Sequence, residues 1–313
     1  MRKTAEFLTK HQVIMSNYSE VERRCAISFD SCGEIYHAYT SGKETPILFA
    51  SDDDMAFAMN VIAYAAFTFG ESIKIIAFAL MNNHFHFVIQ GTKSEINGFF
   101  QCITKKLKYT VPLAGNLRLS LKPILDLGGM RNTIAYVNRN GYVADSNYTP
   151  FSYPWSTGRY YFNDISSKET YSAESFEQKR RMLRGRAVNF PSDWQVIDGY
   201  ISPQSYCAIK FGMAMFRDAH HYFMAVSKNV EAYSGIAVEI GDGEFLTDSE
   251  LFTKVLQIVR DEYRLPSIRN LTGAQRLDLA RTLRYDYRSS NGQIRRVLGL
   301  SQYEVDSLFP RGE

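Results

Sequence analysis

Two histidines stand two positions apart in an apolar stretch of the chain. The segment Met81–Gly91 reads MNNHFHFVIQG, so His84 and His86 alternate with Phe85 and Phe87. Residues i and i+2 of a β-strand point to the same side, which places the imidazoles together and the phenylalanines on the opposite face. Neutral imidazole binds several divalent metals. Taken alone, the motif fits a pair of hydrogen-bonded core histidines better than a metal site.

A tyrosine and an asparagine lie one helical turn apart further along the chain. They belong to the segment TIAYVNRN, Thr133–Asn140. If this segment is helical, Tyr136 and Asn140 present a phenol and an amide side by side on one face. The chain has 20 tyrosines, and most buried tyrosines simply pack their rings in the core. This pair alone therefore also has a plain structural explanation.

The segments around these residues alternate between strand and helix patterns. A strand is predicted over Glu34–Tyr39, and the β-rich pieces IKIIAFALM and HFHFVIQ follow, as two strands or as one with a bulge near Asn82-Asn83. A loop rich in Leu, Pro and Gly precedes the third of three predicted helices. This order predicts a compact α+β sheet domain of roughly 150 residues. The helices are Asp53–Phe69, capped by Ser51 or Asp52 and ended by Gly70; Lys93–Tyr109; and MRNTIAYVNRNGYVA, which Gly141 is expected to weaken or end.

The C-terminal half of the chain has a different composition. Residues 164–193 are polar and include the run EQKRRMLRGR, which we interpret as a linker. The remainder, from about residue 194, has mainly helical patterns. Its last part, SSNGQIRRVLGLSQYEVDSLF, predicts two short helices, Gly292–Leu298 and Gln302–Leu308, with a turn at Gly299 and a cap at Ser301.

This helix pair has the pattern of a helix-turn-helix. In such a unit the second helix enters a groove of DNA. Gln302 and Tyr303 are then candidates for base contact, and Arg295 and Arg296 supply positive charge. A plain helical hairpin that serves as core or as a dimer surface is the alternative.

The composition of the chain limits the classes of protein to which it can belong. An apolar share of 45% and an aromatic share of 14% are those of a folded globular chain, and a net charge of +3 does not by itself indicate a nucleic-acid partner. The four cysteines form no CxxC pair, which argues against a zinc knuckle or a disulfide framework. No apolar run approaches the roughly 20 residues of a membrane span, and the N-terminus lacks the pattern of a secretory signal. We therefore expect a cytoplasmic protein without a membrane partner.

The order of these motifs resembles the HUH single-tyrosine transposases of the insertion-sequence-200 type, most closely their REP-associated branch. The resemblance covers about Tyr36–Phe162. Asn82 and Gly141 stand where the family has proline, which changes backbone stiffness and keeps the functional side chains. The matching segments are YHAYTSG for the opening strand, ILFASDDDMAFAM for the segment after it, FALMNNHFHFVI for the M-P-N-H-x-H strand, AYVNRNGYVAD for Y-x-x-x-N-P-x-x-A-G, and FSYPWSTGRYY for W-P-W-S-S.

The resemblance implies both an architecture and an activity. A ferredoxin-like or palm sheet would form a catalytic domain over residues 1–163, followed by the linker 164–193 and a helical region, 194–313. Tyr136 would attack single-stranded DNA to form a 5′-phosphotyrosine and release a 3′-OH that can later rejoin a strand. His84 and His86 would hold Mg²⁺ or Mn²⁺, and the amide of Asn140 would complete or support the metal site.

The same resemblance implies the partners. It implies single-stranded DNA with hairpins or palindromes, bound by a monomer or a homodimer. Double-stranded DNA is a further expected partner, which the helix-turn-helix pattern of the C-terminal region suggests. The alternative function is that of a domesticated, non-cleaving protein that recognises hairpins or regulatory DNA through its C-terminal helices. Candidate DNA-binding residues are Lys105, Lys106, Lys108, Arg131, Arg139, Arg295, Arg296, Gln302 and Tyr303, and for the first five a solvated helix face explains the charge equally well.

The remaining histidines lack partners at a useful spacing in the sequence. His11 and His37 stand singly, and His220 and His221 are adjacent. Adjacent residues of a helix or strand do not share a face. We therefore expect structural roles for all four.

Overall fold

The computed structural model describes residues 20–42, 45–144, 148–149, 151–163, 165, 169–228, 236, 248–287, 289 and 291–309. Within these ranges the protein is α+β, with eleven helices, a four-stranded antiparallel sheet and a small two-stranded one. The helices are α1 (residues 20–30), α2 (Asp52–Phe69), α3 (Lys93–Leu107), α4 (Leu127–Ala144), α5 (Phe176–Met182), α6 (Ile209–Met213), α7 (Ala219–Lys228), α8 (Asp248–Asp261), α9 (Gly273–Tyr285), α10 (Asn291–Leu298) and α11 (Gln302–Leu308). The strands are β1 (Ile35–Thr40), β2 (Lys74–Leu80), β3 (Phe85–Gln90), β4 (Leu119–Pro123), β5 (Val196–Ile197) and β6 (Tyr200–Ile201).

The main sheet has the strand order β2-β3-β1-β4, and every neighbouring pair is antiparallel. The helix α2 connects β1 to β2, and α3 connects β3 to β4. β2 and β3 form a hairpin, so the two β-rich pieces of the sequence are separate strands. The bulge lies between Ile75 and Ala77, inside β2, rather than near Asn82-Asn83.

Both faces of this sheet are covered by helices. Phe78, Phe85 and Phe87 share one core with residues of α2 and α3. Val88 and Ala79 point the other way and share a second core with α4 and α7. His86 lies between Phe85 and Phe87 in β3, and it therefore points toward the face that α4 covers.

The predicted helices are confirmed with small shifts at their ends. α2 begins after Ser51, whose hydroxyl accepts a hydrogen bond from the amide of Asp54 at 3.3 Å. Gly70 follows α2 with φ of 50°, a conformation that favours glycine. α3 starts with a capping box between Thr92 and Glu95 and ends at Leu107, one half-turn earlier than expected. Local capping chemistry was therefore readable from the sequence.

β4 lies in the segment that we had expected to be a loop. It pairs with β1 along one side only, and Pro123 ends it opposite Tyr36. An edge strand tolerates proline and needs no continuous apolar pattern, because one side and part of its surface remain open to solvent. Its sequence, LSLKP, therefore carries little strand signal.

The segment expected as a linker is mostly exposed in its described part, but a few of its apolar side chains are buried against the main unit. Tyr171, Leu183 and Phe190 are buried in the same core as α2. α5 lies within this segment, and its exposed side carries the basic run. The polar composition thus belongs to the outer surface of a short helix, while a few apolar side chains suffice to hold it against the core. The described residues from 169 to 228 form part of the unit around the main sheet.

The C-terminal helices have a core of their own. α8, α9, α10 and α11 bury Leu251, Leu279, Ile294 and Val305 together. The two helices and the glycine turn of the predicted helix-turn-helix are confirmed: Gly299 has φ of 66°, and α11 starts with a Ser301–Glu304 capping box. Binding of DNA by this unit stays a prediction.

Two expectations from composition concern thiols and membranes. The four cysteines are free thiols, and only Cys25 is fully buried. In the described ranges, none of the helices combines the length and the apolar character that crossing a bilayer requires.

Gly141 lies inside α4, so of the two expected effects, weakening or ending the helix, the second does not occur. A Cβ atom at this position would lie 1.9 Å from Cδ1 of Tyr153. Tyr153 is itself fixed, because its hydroxyl donates a hydrogen bond to the Leu80 carbonyl at 2.9 Å. Glycine is therefore required for the close approach of Tyr153, which offsets the cost of about 1 kcal/mol for a glycine inside a helix.

We expect Gly141→Ala to lower the free energy of unfolding by about 1–3 kcal/mol, because the added methyl group displaces the Tyr153 ring. Urea unfolding measures the change. Gly129→Ala in the same helix is the matched control: its Cβ would lie 3.6 Å from the Asp126 carboxylate, an ordinary contact. This control should raise stability by up to about 1 kcal/mol. Equal effects of the two substitutions would contradict the packing argument.

Candidate functional site

The candidate site lies where β3, β1 and α4 meet. The ring centroid of His86 lies 5.6 Å from that of Tyr136, and the two planes are perpendicular. His86 is 0% exposed and Tyr136 is 3% exposed. The structure thus brings one predicted metal ligand and the predicted nucleophile into contact across the sheet and the helix that covers it.

His84 completes the pair of imidazoles. It occupies the last position before β3, and its ring centroid lies 4.9 Å from that of His86, with the planes 85° apart. Its Nδ1 lies 2.6 Å from Oδ1 of Asn83. The common orientation that the HxH spacing predicted is therefore present.

A third histidine lies beside the pair. Nε2 of His37, on β1, is 3.2 Å from Nδ1 of His86, and the His37 ring centroid is 5.8 Å from that of Tyr136. Tyr39 lies on the same face of β1, with its ring 5.1 Å from His37. His37 thus has a partner that its spacing in the sequence did not indicate, because β1 is the direct neighbour of β3 in the sheet.

Sequence reasoning missed His37 and Tyr39 for a definite reason. Alternation in IYHAYT does place both on one face of β1. Which strand pairs with β1 depends on the order of the strands in the sheet, and tertiary packing determines that order. Of the other expected structural histidines, His221 accepts a hydrogen bond from the Arg217 amide at 3.3 Å, and His11 lies outside the described residues.

Asn140 follows Tyr136 by one turn of α4 and is 2% exposed. Its Nδ2 is buried and makes no hydrogen bond with the part of the chain that the structure describes. The nearby Asn138 is engaged elsewhere: it donates to the Tyr222 hydroxyl at 3.0 Å and accepts from the Thr157 hydroxyl at 2.8 Å. Asn138 thus fixes α4 to its neighbours, and Asn140 retains a polar group for a ligand.

The four predicted site residues, His84, His86, Tyr136 and Asn140, are all at most 3% exposed. A phosphodiester must come within bonding distance of the tyrosine oxygen to react. DNA can therefore reach Tyr136 only after part of the surrounding protein moves.

Of the expected metal donors, the structure brings the His84 and His86 rings to a centroid distance of 4.9 Å. Among the described residues, no group of three or more His, Cys, Asp or Glu side chains could hold a metal ion. The donors that the resemblance implies are the imidazoles of His84 and His86 and the amide of Asn140. Because Nδ1 of His84 and of His86 each face a hydrogen-bond partner, an ion would bind through Nε2. Mg²⁺ prefers oxygen ligands and strict geometry, so two ring nitrogens fit Mn²⁺ better.

The predicted basic residues near the site fall into two groups. Lys105, Lys106 and Lys108 lie at the end of α3, which packs on the opposite face of the sheet from Tyr136. Lys105 and Lys108 are exposed, and the Lys106 amine lies 5.3 Å from the ring centroid of Tyr64. A DNA strand that reached Tyr136 would have to pass around the sheet to meet these lysines.

The two arginines of α4 are already engaged or buried. Nε of Arg131 donates to the Met215 carbonyl at 2.6 Å, and its Nη2 donates to the Glu22 carboxylate at 3.1 Å. Arg139 is 5% exposed. Arg131 therefore joins α4 to α1, and a role in DNA binding for either arginine stays a prediction.

The C-terminal candidates are more accessible. Arg295 and Arg296 are exposed on α10, and Tyr303 on α11 is 82% exposed. Nε2 of Gln302 donates to both carboxylate oxygens of Asp306, each at 2.9 Å. Contact of Gln302 with a base would require this internal hydrogen bonding to break.

A groove of about 1070 Å³ lies away from the histidines, between α2 and the segment that contains α5, β5 and β6. Its walls carry both signs of charge, with Arg180 and Arg181 near Glu174 and Glu177. These side chains are flexible and open to solvent. The mixture does not favour one class of ligand.

Comparison of the chain with models of protein families, with curated proteins and with solved structures finds no match.

The Arg131–Glu22 ion pair makes stability depend on pH. The hydrogen bond from Arg131 holds the pKa of Glu22 below its ordinary value of 4.5. A lowered carboxyl pKa contributes stability above the ordinary value and loses it as the pH falls through the folded-state pKa. Because Glu22 is 43% exposed, solvent screening limits this contribution to less than about 1 kcal/mol.

We expect Glu22→Gln to lower the free energy of unfolding slightly at neutral pH. The difference from the native protein should shrink below pH 4.5 and disappear once the native carboxyl is protonated. Urea unfolding over a series of pH values measures this. A difference that stays constant down to about pH 3 would exclude the carboxylate charge as its source.

Proposed function

We propose that this protein is a metal-dependent strand transferase that cleaves and rejoins single-stranded DNA through a covalent bond to Tyr136. The observation that carries the proposal is the contact of Tyr136 with His86, next to His84. These residues come from a helix and a strand that are separated by α3 and β4. A protein that only binds DNA has no chemical need for a phenol, two imidazoles and an amide in one place.

The topology supports the proposal. The order β1-α2-β2-β3-α3-β4, with the sheet order β2-β3-β1-β4, supports a ferredoxin-like or palm arrangement, which is part of the proposal. α2 and α3 cover one face of such a sheet. The other face can then receive α4, which carries Tyr136 to the histidines of β3 and β1.

Attack of Tyr136 on a phosphodiester requires stabilisation of the transition state, because the nucleophile is weak. A phenol with a pKa of about 10 is a poor nucleophile at neutral pH, and the phosphodiester is itself anionic. A divalent cation at His84 and His86, for which we favour Mn²⁺ over Mg²⁺, would polarise the phosphate and stabilise the developing negative charge. The hydroxyl oxygen of Tyr136 forms a bond to phosphorus while the bond from phosphorus to the 3′ oxygen breaks. The phenolic proton is lost, and a proton is gained by the leaving 3′ oxygen.

The protein's own residues orient this step. His37 and His86 contact the Tyr136 ring by their edges and faces, which limits the rotation of the phenol and lowers the entropy cost of alignment. Asn140 can offer its Nδ2 to a phosphate oxygen or its Oδ1 to the cation. Rejoining is the reverse step, in which a 3′-OH attacks the phosphotyrosine.

A second candidate function has an observation of its own. The near-complete burial of the four site residues favours a non-cleaving protein that binds hairpins or regulatory DNA through its C-terminal helices. Exposed Arg295, Arg296 and Tyr303 on a unit with a separate core support that role. Either function would place the protein with DNA in the cytoplasm, as a monomer or a homodimer.

The enzyme proposal predicts a covalent adduct between the protein and hairpin-containing single-stranded DNA in the presence of Mn²⁺. Denaturing electrophoresis of labelled DNA detects it. Tyr136→Phe should abolish the adduct, because it removes the attacking oxygen and little volume. Tyr39→Phe is the matched control, since Tyr39 lies at the same cluster of rings, and it should retain the adduct.

The outcomes separate the candidates. An adduct that persists in Tyr136→Phe and disappears in Tyr39→Phe would show that Tyr39 on β1, rather than Tyr136, is the nucleophile. Failure of the native protein to form an adduct across a wide hairpin library would overturn the enzyme proposal and leave the second candidate.

The helix-turn-helix proposal predicts salt-sensitive binding of double-stranded DNA. Replacing both Arg295 and Arg296 by alanine should weaken binding and lower the slope of log K against log salt concentration by up to about 2, one unit for each phosphate contact. Fluorescence anisotropy at several salt concentrations measures this. Arg260→Ala removes one exposed charge from α8 and should leave the slope unchanged. An equal effect of Arg260→Ala would point to unspecific charge attraction.

A further inference from the structure

Asn83 makes three hydrogen bonds that together determine the state of His84. Its Nδ2 donates to the Gly42 carbonyl at 2.9 Å and to the Thr45 carbonyl at 2.7 Å. Its Oδ1 lies 2.6 Å from Nδ1 of His84. The side chain of Asn83 therefore joins the segment after β1 to the imidazole that precedes β3.

The orientation of the Asn83 amide follows from these partners. An amide nitrogen has two protons to donate, and a carbonyl oxygen can only accept. The two carbonyls of Gly42 and Thr45 take both protons. Rotating the amide by a half-turn would place its oxygen against two carbonyl oxygens, which is repulsive. Oδ1 of Asn83 must therefore face His84.

The tautomer of His84 follows in turn. Because Oδ1 of Asn83 can only accept, Nδ1 of His84 must carry the proton. In a neutral imidazole the other nitrogen then holds a lone pair. His84 is thus the Nδ1–H tautomer, with Nε2 as the atom that can bind a cation.

Gly42 fixes the position of the ring as well. A Cβ at Gly42 would lie 2.8 Å from Nδ1 and 2.9 Å from Cε1 of His84. The backbone at Gly42 therefore lies against the imidazole as closely as a residue without a side chain allows. The same glycine carbonyl accepts from Asn83, so one amide fixes both the ring and the backbone beside it.

We propose that Asn83 is a positioning residue that holds His84 as the Nδ1–H tautomer and turns its Nε2 toward the site shared with His86. Its relevance to a bound cation rests on the proposed function, whereas the tautomer does not. For His86 the hydrogen-bond partner does not determine the tautomer. Its Nδ1 faces Nε2 of His37, and each of these imidazole nitrogens can either donate or accept.

The first test reads the tautomer directly. Two-bond ¹H–¹⁵N spectra of the metal-free, full-length protein at about pH 8.5, where the ordinary imidazole is neutral, distinguish a protonated from an unprotonated ring nitrogen. The His84 signals are assigned by their loss in His84→Gln. We expect the native protein to show a protonated Nδ1. A protonated Nε2 at His84 would overturn the proposal, and no variant of Asn83 is needed for this result.

The second test compares variants. Asn83→Ala removes the acceptor, and His84 should shift toward the Nε2–H form that free histidine prefers. Asn83→Asp keeps an acceptor and should retain the Nδ1–H form, although it loses the donors to Gly42 and Thr45. Asn82→Ala is the matched control, because that side chain is exposed and should not affect His84. Identical spectra in Asn83→Ala and Asn83→Asp would show a purely structural role and overturn the proposal.

Binding of Mn²⁺ provides the link to function. We expect Asn83→Ala to weaken Mn²⁺ binding by about 10- to 100-fold, the usual effect of losing a partner that orients a ligand, with Asn82→Ala unchanged. Electron paramagnetic resonance titration measures free Mn²⁺ for each protein. A native protein that shows the expected tautomer but binds no Mn²⁺ would contradict the proposed function and leave the assignment of Asn83 intact. Equal Mn²⁺ affinity in the native protein and Asn83→Ala would overturn the positioning role.

Discussion

The antiparallel pairing of β1 with β3 is the interaction on which the candidate site depends. It sets Tyr39 opposite His86 and His37 opposite Val88 in the register. A shift of one residue would turn the β1 side chains to the opposite face. His37 would then point into the apolar core under α2 and α3, and His86 would lose a polar neighbour. The hydrogen bonds of this strand pair thus decide which side chains can take part in chemistry.

Burial of imidazoles has to be offset by hydrogen bonds. A buried polar group without a partner costs about 1–3 kcal/mol, and the side chains of His84 and His86 are only 2% and 0% exposed. Asn83 supplies an acceptor for His84, and His37 supplies a partner for His86. For His84, the partner that makes burial tolerable also determines which ring nitrogen carries the proton. Stability and the proposed chemistry therefore use the same contacts.

The candidate site and the C-terminal helices differ in the exposure of their side chains to solvent. The buried ring cluster holds Tyr136 in one orientation and restricts access of DNA to it. The helices with a separate core present arginines and Tyr303 to solvent. A protein that had lost cleavage would keep only the accessible half of this arrangement.

The sequence determined the features whose causes lie within a few residues. Ser51 and Ser301 cap helices because their hydroxyls reach amides three positions away, and Gly299 turns because it tolerates a positive φ. The spacing of His84 and His86, and that of Tyr136 and Asn140, likewise predicted shared faces.

The tertiary structure decided the features that depend on distant partners. The edge strand β4 carries little pattern of its own, since pairing with β1 alone defines it. Arg131 joins α4 to Glu22, and His37 meets His86, only because the strand and helix order brings them together. The Nδ1–H form of His84 required carbonyls from the segment after β1. The periodic spacing of residues in a sequence predicts contacts within one or two turns of a helix or within one strand. The contacts named here instead arise from the packing of a helix on a particular face of a particular pair of strands.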